Sequence, residues 1–452
     1  MGSRSAWSLI STGGEGLAGE SYGGARDGRP GARIAAAARP GRTANPASPM
    51  LTADQKSGEL AQMGARAGGL SVFSGVGGLD LGARIAGLEI ELATDQDAEA
   101  LSMLAAAGGI ATLAGNIDEV LAGPLIRLWG NRGSPRCLIG GPPCTPFSHA
   151  GFWLEDKRTG KDPAGSLLTS YLRCLEAFEP DAFVLENVPG LAFKTHDRFL
   201  KHLIEKVHGL GYRVTREILR ASDFGVAQAR RRLFIVGVRS KSPVSLSGWP
   251  SWPVRTSRWA IGALEEGTES EPDEQLREKY RDLLPLVPAG GNYLHFTDHN
   301  GYDPPLFKYR GRYWSFLLKL DPEKPAPTVP AQRITYNGPF HWSNRHLRVR
   351  EIARLQSFPD WYAVSPDVSI ARRQLGNAVP PLLAAAVVWR VRQALGDVGT
   401  ETWPAALDEA AKPHASFEEV SAAYPRPSRE MHKSENPSAG RLPEPTPARS
   451  SL

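Results

Sequence analysis

Residues 72–82 read VFSGVGGLDLG, and the reading of this stretch decides the fold. The apolar run GLSVF leads into it, and a helical pattern leads out, so the glycines mark a tight corner between a strand and a helix. Glycine lets backbone N–H groups approach a ligand closely at such a corner. About twenty residues on, Asp95 ends a second apolar run, LEIELATD, where a carboxylate can accept both hydroxyls of a ribose. Together the two features suggest an adenosine-containing cofactor without saying which, because nucleotides, flavins and S-adenosylmethionine all use such turns. A corner without any ligand is the plainer alternative.

Working outward, RCLIGG, DAFVLENV and RRLFIVGV are further short apolar runs suited to buried strands. Between them lie helical periods. In SLLTSYLRCLEAFEP, Leu168, Tyr171, Leu172, Leu175 and Phe178 share one face. In RFLKHLIEKVHGLG, Phe199, Leu203, Ile204, Val207 and Leu210 do the same. Strands alternating with helices imply a doubly wound α/β sheet covered on both faces, with ligands at the carboxyl ends of the strands. The rhythm breaks over 239–345, where Trp249, Trp252, Trp259 and many prolines suggest a separate, irregular domain. It resumes at REIARLQSF, and PPLLAAAVVWRVRQALG reads as a closing helix with prolines at its start and Gly396 at its end. Residues 1–68 and 399–452 lack a sustained apolar period and read as disordered tails. Met50 and Met63 are alternative candidate starts, which N-terminal sequencing of the native protein would decide.

The 452 residues carry a net charge of +5, which fits a polyanionic partner without proving one. Three cysteines without CxxC spacing argue against a disulfide framework and a zinc site, and place the chain in a reducing cytosol. No apolar run has the length of a membrane span, and the N-terminus lacks a secretory signal. His295 and His299 lie four apart but have no third ligand nearby in sequence, so they are read as non-metal residues.

Four further features carry chemistry. Cys144 sits on a stiff bend in GGPPCTPFS, 140–148, where a thiolate could be held in the open as a nucleophile. An inert packed thiol is the bland alternative, and it is the reading given to Cys137 and Cys174. Glu186 in FVLENVPGL ends an apolar strand, a position suited to catalysis or to capping the next helix. Gln228, Arg230 and Arg232 in QARRRLFIVG point to one side of an extended chain, suited to holding an oxygen or phosphate, or simply to a solvated face. Asn377 in QLGNAVPP reads ordinarily as a helix cap.

The order of these motifs resembles the cytosine-5 DNA methyltransferases from about residue 69 to 396. GGPPCTPFS, ENVPG, QARRRLFIVG, REIARLQSFP and LGNAVPP carry the resemblance. It implies a Rossmann-like S-adenosylmethionine-dependent catalytic domain, 69–238 and 346–398, with 239–345 as the target-recognition domain. It implies Cys144 as the nucleophile toward cytosine C6, and Glu186 at the N3 and N4 edge. Arg232 would bind O2, and Arg230 would order the catalytic loop or a nearby phosphate. For the donor, S-adenosyl-L-methionine, it implies Phe73 packed on adenine, Gly75, Gly77 and Gly78 at the turn, and Asp95 on the ribose. Asn116 would face the adenine amino group. Gln96, Ile117, Pro142, Leu167, Asn377 and Ala378 complete the implied contacts, with no metal. The partners implied are double-stranded DNA and a cognate restriction endonuclease, with the protein a monomer in bacterial cytoplasm at the nucleoid.

Three positions depart from the family pattern. Asn116 replaces an acid, Gln96 stands where an aromatic is common, and Thr145 follows the cysteine where glutamine is frequent. In residues 305–354, ten Lys and Arg face three acids, and FKYRGRYWSF interleaves basic and aromatic side chains, which suits phosphate contact plus groove insertion. An RNA methyltransferase on the same catalytic domain and a non-enzymatic DNA-binding relative are the rival readings.

Overall fold

A computed structural model describes residues 68–130, 133–143, 163–193, 197–264, 278–310, 313–399 and 402–426. Seven strands form one sheet in the order β3-β2-β1-β4-β5-β7-β6. They are β1 (Gly69–Val72), β2 (Ile90–Asp95), β3 (Ala111–Ala114), β4 (Cys137–Gly140), β5 (Ala182–Asn187), β6 (Arg213–Arg220) and β7 (Arg231–Val238). The first five are mutually parallel, whereas β7 runs antiparallel to both β5 and β6. All five strands read from the sequence are present. β3 and β6 are additions that the apolar-run criterion did not reveal.

Period-two alternation sends the side chains to two cores. Val72, Leu138, Phe183, Leu185 and Leu233 face one side, where α3 (Ile117–Leu121), α4 (Pro124–Trp129), α5 (Pro163–Phe178) and α6 (Asp197–Gly209) supply the cover. Cys137, Ile139, Val184, Phe234 and Val236 face the other, under α1 (Gly78–Ile85), α2 (Ala98–Gly108) and α10 (Pro381–Ala394). The doubly wound α/β expectation therefore holds. Leu168, Tyr171, Leu175 and Phe178 are buried along α5, as their spacing requires. Cys137 and Cys174 are packed thiols, and burial pushes Cys174 up to about 12.

The glycine corner is set by its neighbours. Gly78 and Gly82 lie one turn apart on α1 and leave a groove that α10 enters. A Cβ on Gly78 would stand 2.2 Å from the Val379 carbonyl oxygen, and one on Gly82 would stand 2.3 Å from the Ala384 Cβ. Pro381 opens α10 at its first turn and Gly396 follows it with φ 74°, as the sequence suggests.

From 239 onward the chain is irregular, with α7 (Ser257–Ile261) and a series of 3-10 turns. A separate small core gathers Leu284, Val287, Tyr293, Phe296, Leu317 and Phe340. Trp252, Ala260, Ile261, Ala326 and Val329 instead join the main core, so the independent cluster begins later than composition suggests. Return to the main body comes through α8 (Val349–Leu355) and α9 (Val368–Asn377).

The reading of 399–452 as a disordered tail does not hold over 402–426. This stretch forms α11 (Ala405–Ala411) and α12 (Phe417–Ala422), whose Leu407, Ala410, Phe417 and Val420 are buried in the main core. Side chains far back in the chain hold it there by donating to its carbonyls. Trp252 Nε1 donates to Leu407 O (3.2 Å), and Trp259 Nε1 donates to Ala415 O (2.8 Å). The Arg255 guanidinium donates to Ala410 O, Lys412 O and Pro413 O at the end of α11. Orphan carbonyls at a helix end need such partners. In return the Tyr424 hydroxyl donates to Ser357 O (2.8 Å), and Glu418 pairs with Arg354 (2.8 Å). The rest of that reading, 427–452, and residues 1–67 lie outside the described residues.

Candidate active site

Strand order reverses between β1 and β4, the position at which open α/β sheets hold their ligands. On the β1 side, Phe73 (φ 55°), Gly75 (φ 53°) and Gly77 (φ 81°) all adopt left-handed backbone. The Gly75 N–H donates to Asp95 Oδ2 (2.8 Å), and the Asp97 N–H donates to Asp95 Oδ1 (2.9 Å). Each carboxylate oxygen thus keeps one lone pair for a ligand hydroxyl. Burial pushes the Asp95 carboxyl above its ordinary range, with the two backbone N–H groups opposing the shift. Among the described residues no heavy atom stands within 4 Å of where a Gly75 Cβ would be. The Tyr362 hydroxyl, donating to Val76 O (2.7 Å), braces the turn from behind.

These features fit an adenosine-bearing donor. Asp95 ends β2, half-buried Phe73 and buried Pro142 stand on the loops leaving β1 and β4, buried Ile117 opens α3, and half-buried Leu167 is carried by α5. Asn116 caps α3, its Oδ1 accepting the Asp118 N–H (3.0 Å), so the replacement of the family acid also serves the helix. Gln96 is exposed. Asn377 is exposed as the last residue of α9, and Ala378 follows it half-buried. Asn377 does not cap the next helix, whose N-cap is Pro380.

Beyond β4, Glu186 is the penultimate residue of β5 and Arg232 lies near the start of β7. Their side chains meet at 2.8 Å between Arg232 Nε and Glu186 Oε1. Both are nearly enclosed, with side-chain exposures of 12 % and 10 %. Burial pushes the Glu186 carboxyl up, even though Arg232 and Arg230 pull it down, and burial lowers Arg232. A buried pair of this kind is costly to break, since either partner alone would be an uncompensated charge.

The chain leaving β4 passes directly over this carboxylate. A Cβ on Gly141 would fall 2.8 Å from Glu186 Oε2, so only glycine leaves the carboxylate its place. Asn187 Nδ2 donates to Pro142 O (3.1 Å) and fixes the loop as it departs. The sequence reads Asn187 only as part of the turn after β5 and gives Gly141 no separate task, although the paired glycines of IGGPPC signal close approach. The described chain stops at Pro143. Cys144, the next residue, lies outside the described residues, as does Thr145.

Arg230 and Gln228 lie on the same side as Arg232, as alternate spacing requires, but deeper. Arg230 is 1 % exposed and donates through Nη2 to Gly376 O (2.7 Å) and through Nη1 to Val329 O (3.5 Å). It holds backbone oxygens, tying β7 to the end of α9. The excess of basic residues in 305–354 is partly internal too. Lys319 is buried, Arg345 pairs with Glu351 (2.6 Å), and Arg354 pairs with Asp360 (2.5 Å). Among the described residues no group of three or more His, Cys, Asp or Glu could hold a metal ion, and no helix is long and apolar enough to cross a membrane.

Residues 68–393 match the family described as C-5 cytosine-specific DNA methylase. The Type II methyltransferase M.SacI of Streptomyces achromogenes is 38% identical over 363 residues, covering 72% of this chain and 93% of the relative. The Type II methyltransferase M.XorII of Xanthomonas oryzae pv. oryzae is 31% identical, covering 72% and 85% respectively. Among solved structures, the Entamoeba histolytica methyltransferase EhMeth superposes with a TM-score of 0.52 at 14% identity, covering 73% of this chain and 99% of its own. At that identity the likeness is one of fold.

Proposed function

From the premise that this chain belongs to the C-5 cytosine-specific DNA methylase family, we propose that it methylates cytosine through covalent attack by Cys144 on the ring. The carrying observation is the buried Glu186–Arg232 pair directly beneath Gly141, three residues before Cys144. Cytosine C5 is too weak a nucleophile to take a methyl group unaided. Addition of the sulfur anion to C6 breaks the C5–C6 double bond and moves its electron pair to C5 and the N3–O2 edge, making C5 nucleophilic. Glu186 shares or gives a proton at N3 and accepts from the N4 amino group, while Arg232 donates to O2. A carboxyl raised by burial suits a proton-sharing role at neutral pH. S-adenosylmethionine, held by Asp95, Phe73 and the glycine turn, supplies an electrophilic methyl when bound. A base such as water then removes the C5 proton, the double bond re-forms and the thiolate leaves.

The ring cannot be reached inside a duplex, so the cytosine is flipped out, at a cost of a few kcal/mol. Contact with the duplex falls to 278–340, where Tyr309, Tyr313 and Trp314 are half-exposed beside Lys308 and Arg310. Arg230 orders the wall behind Arg232 rather than touching a phosphate. The two Type II methyltransferase relatives favour a restriction–modification role, in which a cognate endonuclease would be the partner.

Cys144→Ser tests the reading. The variant is expected to bind S-adenosylmethionine yet lose methyl transfer to duplex DNA, and wild type to form a denaturation-resistant adduct with 5-fluorocytosine DNA. Normal turnover by the serine variant refutes the role of the sulfur. Labelled transfer to tRNA instead of duplex DNA would change the substrate.

A further inference from the structure

A cavity of about 650 Å3 lies between residues 331–333, residues 346–349 and the first turns of α9. Its wall carries Arg333, His346, Arg348, Arg372 and Arg373, with Gln332 beside them, and among the described residues no acidic side chain lines it. Arg372 is the informative residue. It is 4 % exposed, and its Nε has no hydrogen-bond partner among the described residues. Burial, and then the charge of Arg333, push it down to about 10, which still leaves it protonated at neutral pH. A buried guanidinium without a counter-charge is strongly unfavourable unless an anion joins it.

The neighbouring groups do not supply that anion. Burial, Arg333 and Arg372 push His346 down to about 3, so it stays neutral. Asp97 is engaged by Arg373 (3.0 Å), and Asp367 accepts the Ile370 N–H (2.9 Å) as the N-cap of α9. The cavity also stands close to the candidate active site. Ala331 in its wall presses on Gly376, where a Cβ would lie 2.4 Å from the Ala331 Cα. Gly376 O accepts from Arg230, two residues before the Arg232 that pairs with Glu186.

We propose that this cavity seats a phosphate, and that the phosphate belongs to the backbone of the bound DNA duplex. A guanidinium fork matches phosphate oxygens bidentately, and several arginines around one cavity concentrate positive potential where a phosphodiester can neutralise it. The source of the phosphate rests on the reading of the chain as a DNA methyltransferase; the anion site itself does not.

The test uses the full chain, with a labelled duplex from DNA that wild type methylates, titrated by fluorescence anisotropy between 50 and 200 mM KCl. Arg372→Met is expected to weaken binding about tenfold and to make the slope of log affinity against log salt shallower by about 0.9, the value of one neutralised phosphate. Arg372→Lys is expected to restore the slope. S-adenosylhomocysteine binding to each variant checks folding, and Arg333→Gln is read in the same way should Arg372→Met fail that check. Inorganic phosphate, added at constant ionic strength, separates the sources. If it raises the melting temperature of wild type but not of the variant, while the duplex slope stays unchanged, the cavity binds free phosphate and the backbone assignment falls. Unchanged slope and no phosphate effect overturn the site. Wild type that transfers no methyl to DNA would sink the functional reading separately.

Discussion

The carboxyl edge of the sheet and the segment 278–340 satisfy their backbone polar groups in different ways. At the sheet edge continuous ladders take care of most N–H and C=O groups, and the side chains of Asp95, Glu186 and Arg232 gather where the ladders end. In 278–340 short turns and scattered backbone bonds replace the ladders, and side chains add braces between them. Asn292 accepts the Leu294 N–H and donates to Trp314 O, and the Tyr293 hydroxyl exchanges hydrogen bonds with Arg310. Its core is aromatic, with Tyr280 edge-on to Tyr336 at 4.7 Å and Phe307 edge-on to Phe316 at 5.5 Å. The regular scaffold positions its site by ladder ends, whereas the irregular one is positioned by turns and single braces.

Three substitutions can break or sharpen that contrast. Glu186→Gln keeps the shape of the sheet-edge site and removes its charge. Single-turnover methyl transfer is expected to fall by about 10²–10⁴-fold, with S-adenosylmethionine affinity retained. A loss under tenfold would detach the carboxylate from the chemistry. Next, Phe296→Ala in the aromatic core is expected to cost about 3–5 kcal/mol locally. Hydrogen exchange should then accelerate across 284–340 and leave β1, β4 and β5 protected. Acceleration in the sheet as well would show that the two regions unfold as one.

The smallest effect concerns Asp80 on α1, which is fully buried. Burial raises it from 3.8 to about 7, with hydrogen bonds from the Ser71 hydroxyl and its own backbone N–H opposing the shift and Asp95 adding to it. Below pH 3.8 the group is protonated in both folded and unfolded chains. As pH rises toward 7 the unfolded chain releases its proton first, so stability declines, levelling off above about 7. Asp80→Asn is therefore expected to be stabilising by about 1–3 kcal/mol at pH 8, from the scale of 1.4 kcal/mol per pKa unit, and by far less at pH 4. Urea midpoints at the two pH values would check it, and equal gains at both would contradict it.

The glycine corner, the five strands and Glu186 were legible in the sequence because buried parallel strands read as apolar runs that end where chemistry begins. β6 escaped because it is an edge strand whose RVTREILR is mostly exposed or half-buried, giving no apolar run. β3 escaped likewise, an edge strand whose ATLA is mostly half-buried. Arg230 and Arg232 share a spacing and a side, but depth separates their tasks, and depth is set by the end of α9 and the irregular stretch at Val329, 146 and 99 residues away. Gly141 was in view as half of a pair, yet what it makes room for arrives from another strand. The helices α11 and α12 were unreadable for the same reason: short and alanine-rich, they are held by Trp252, Arg255 and Trp259, more than 150 residues upstream.

That last attachment bears on how the enzyme can be trimmed. A fragment cut at residue 393 would retain every position matched to the family, yet it would uncover the indole of Trp252, three donors on Arg255 and the apolar bed beneath Leu407 and Phe417. The family boundary and the folding boundary of this methyltransferase therefore differ by some thirty residues, and the shorter one leaves a sticky, thirsty surface behind the catalytic sheet.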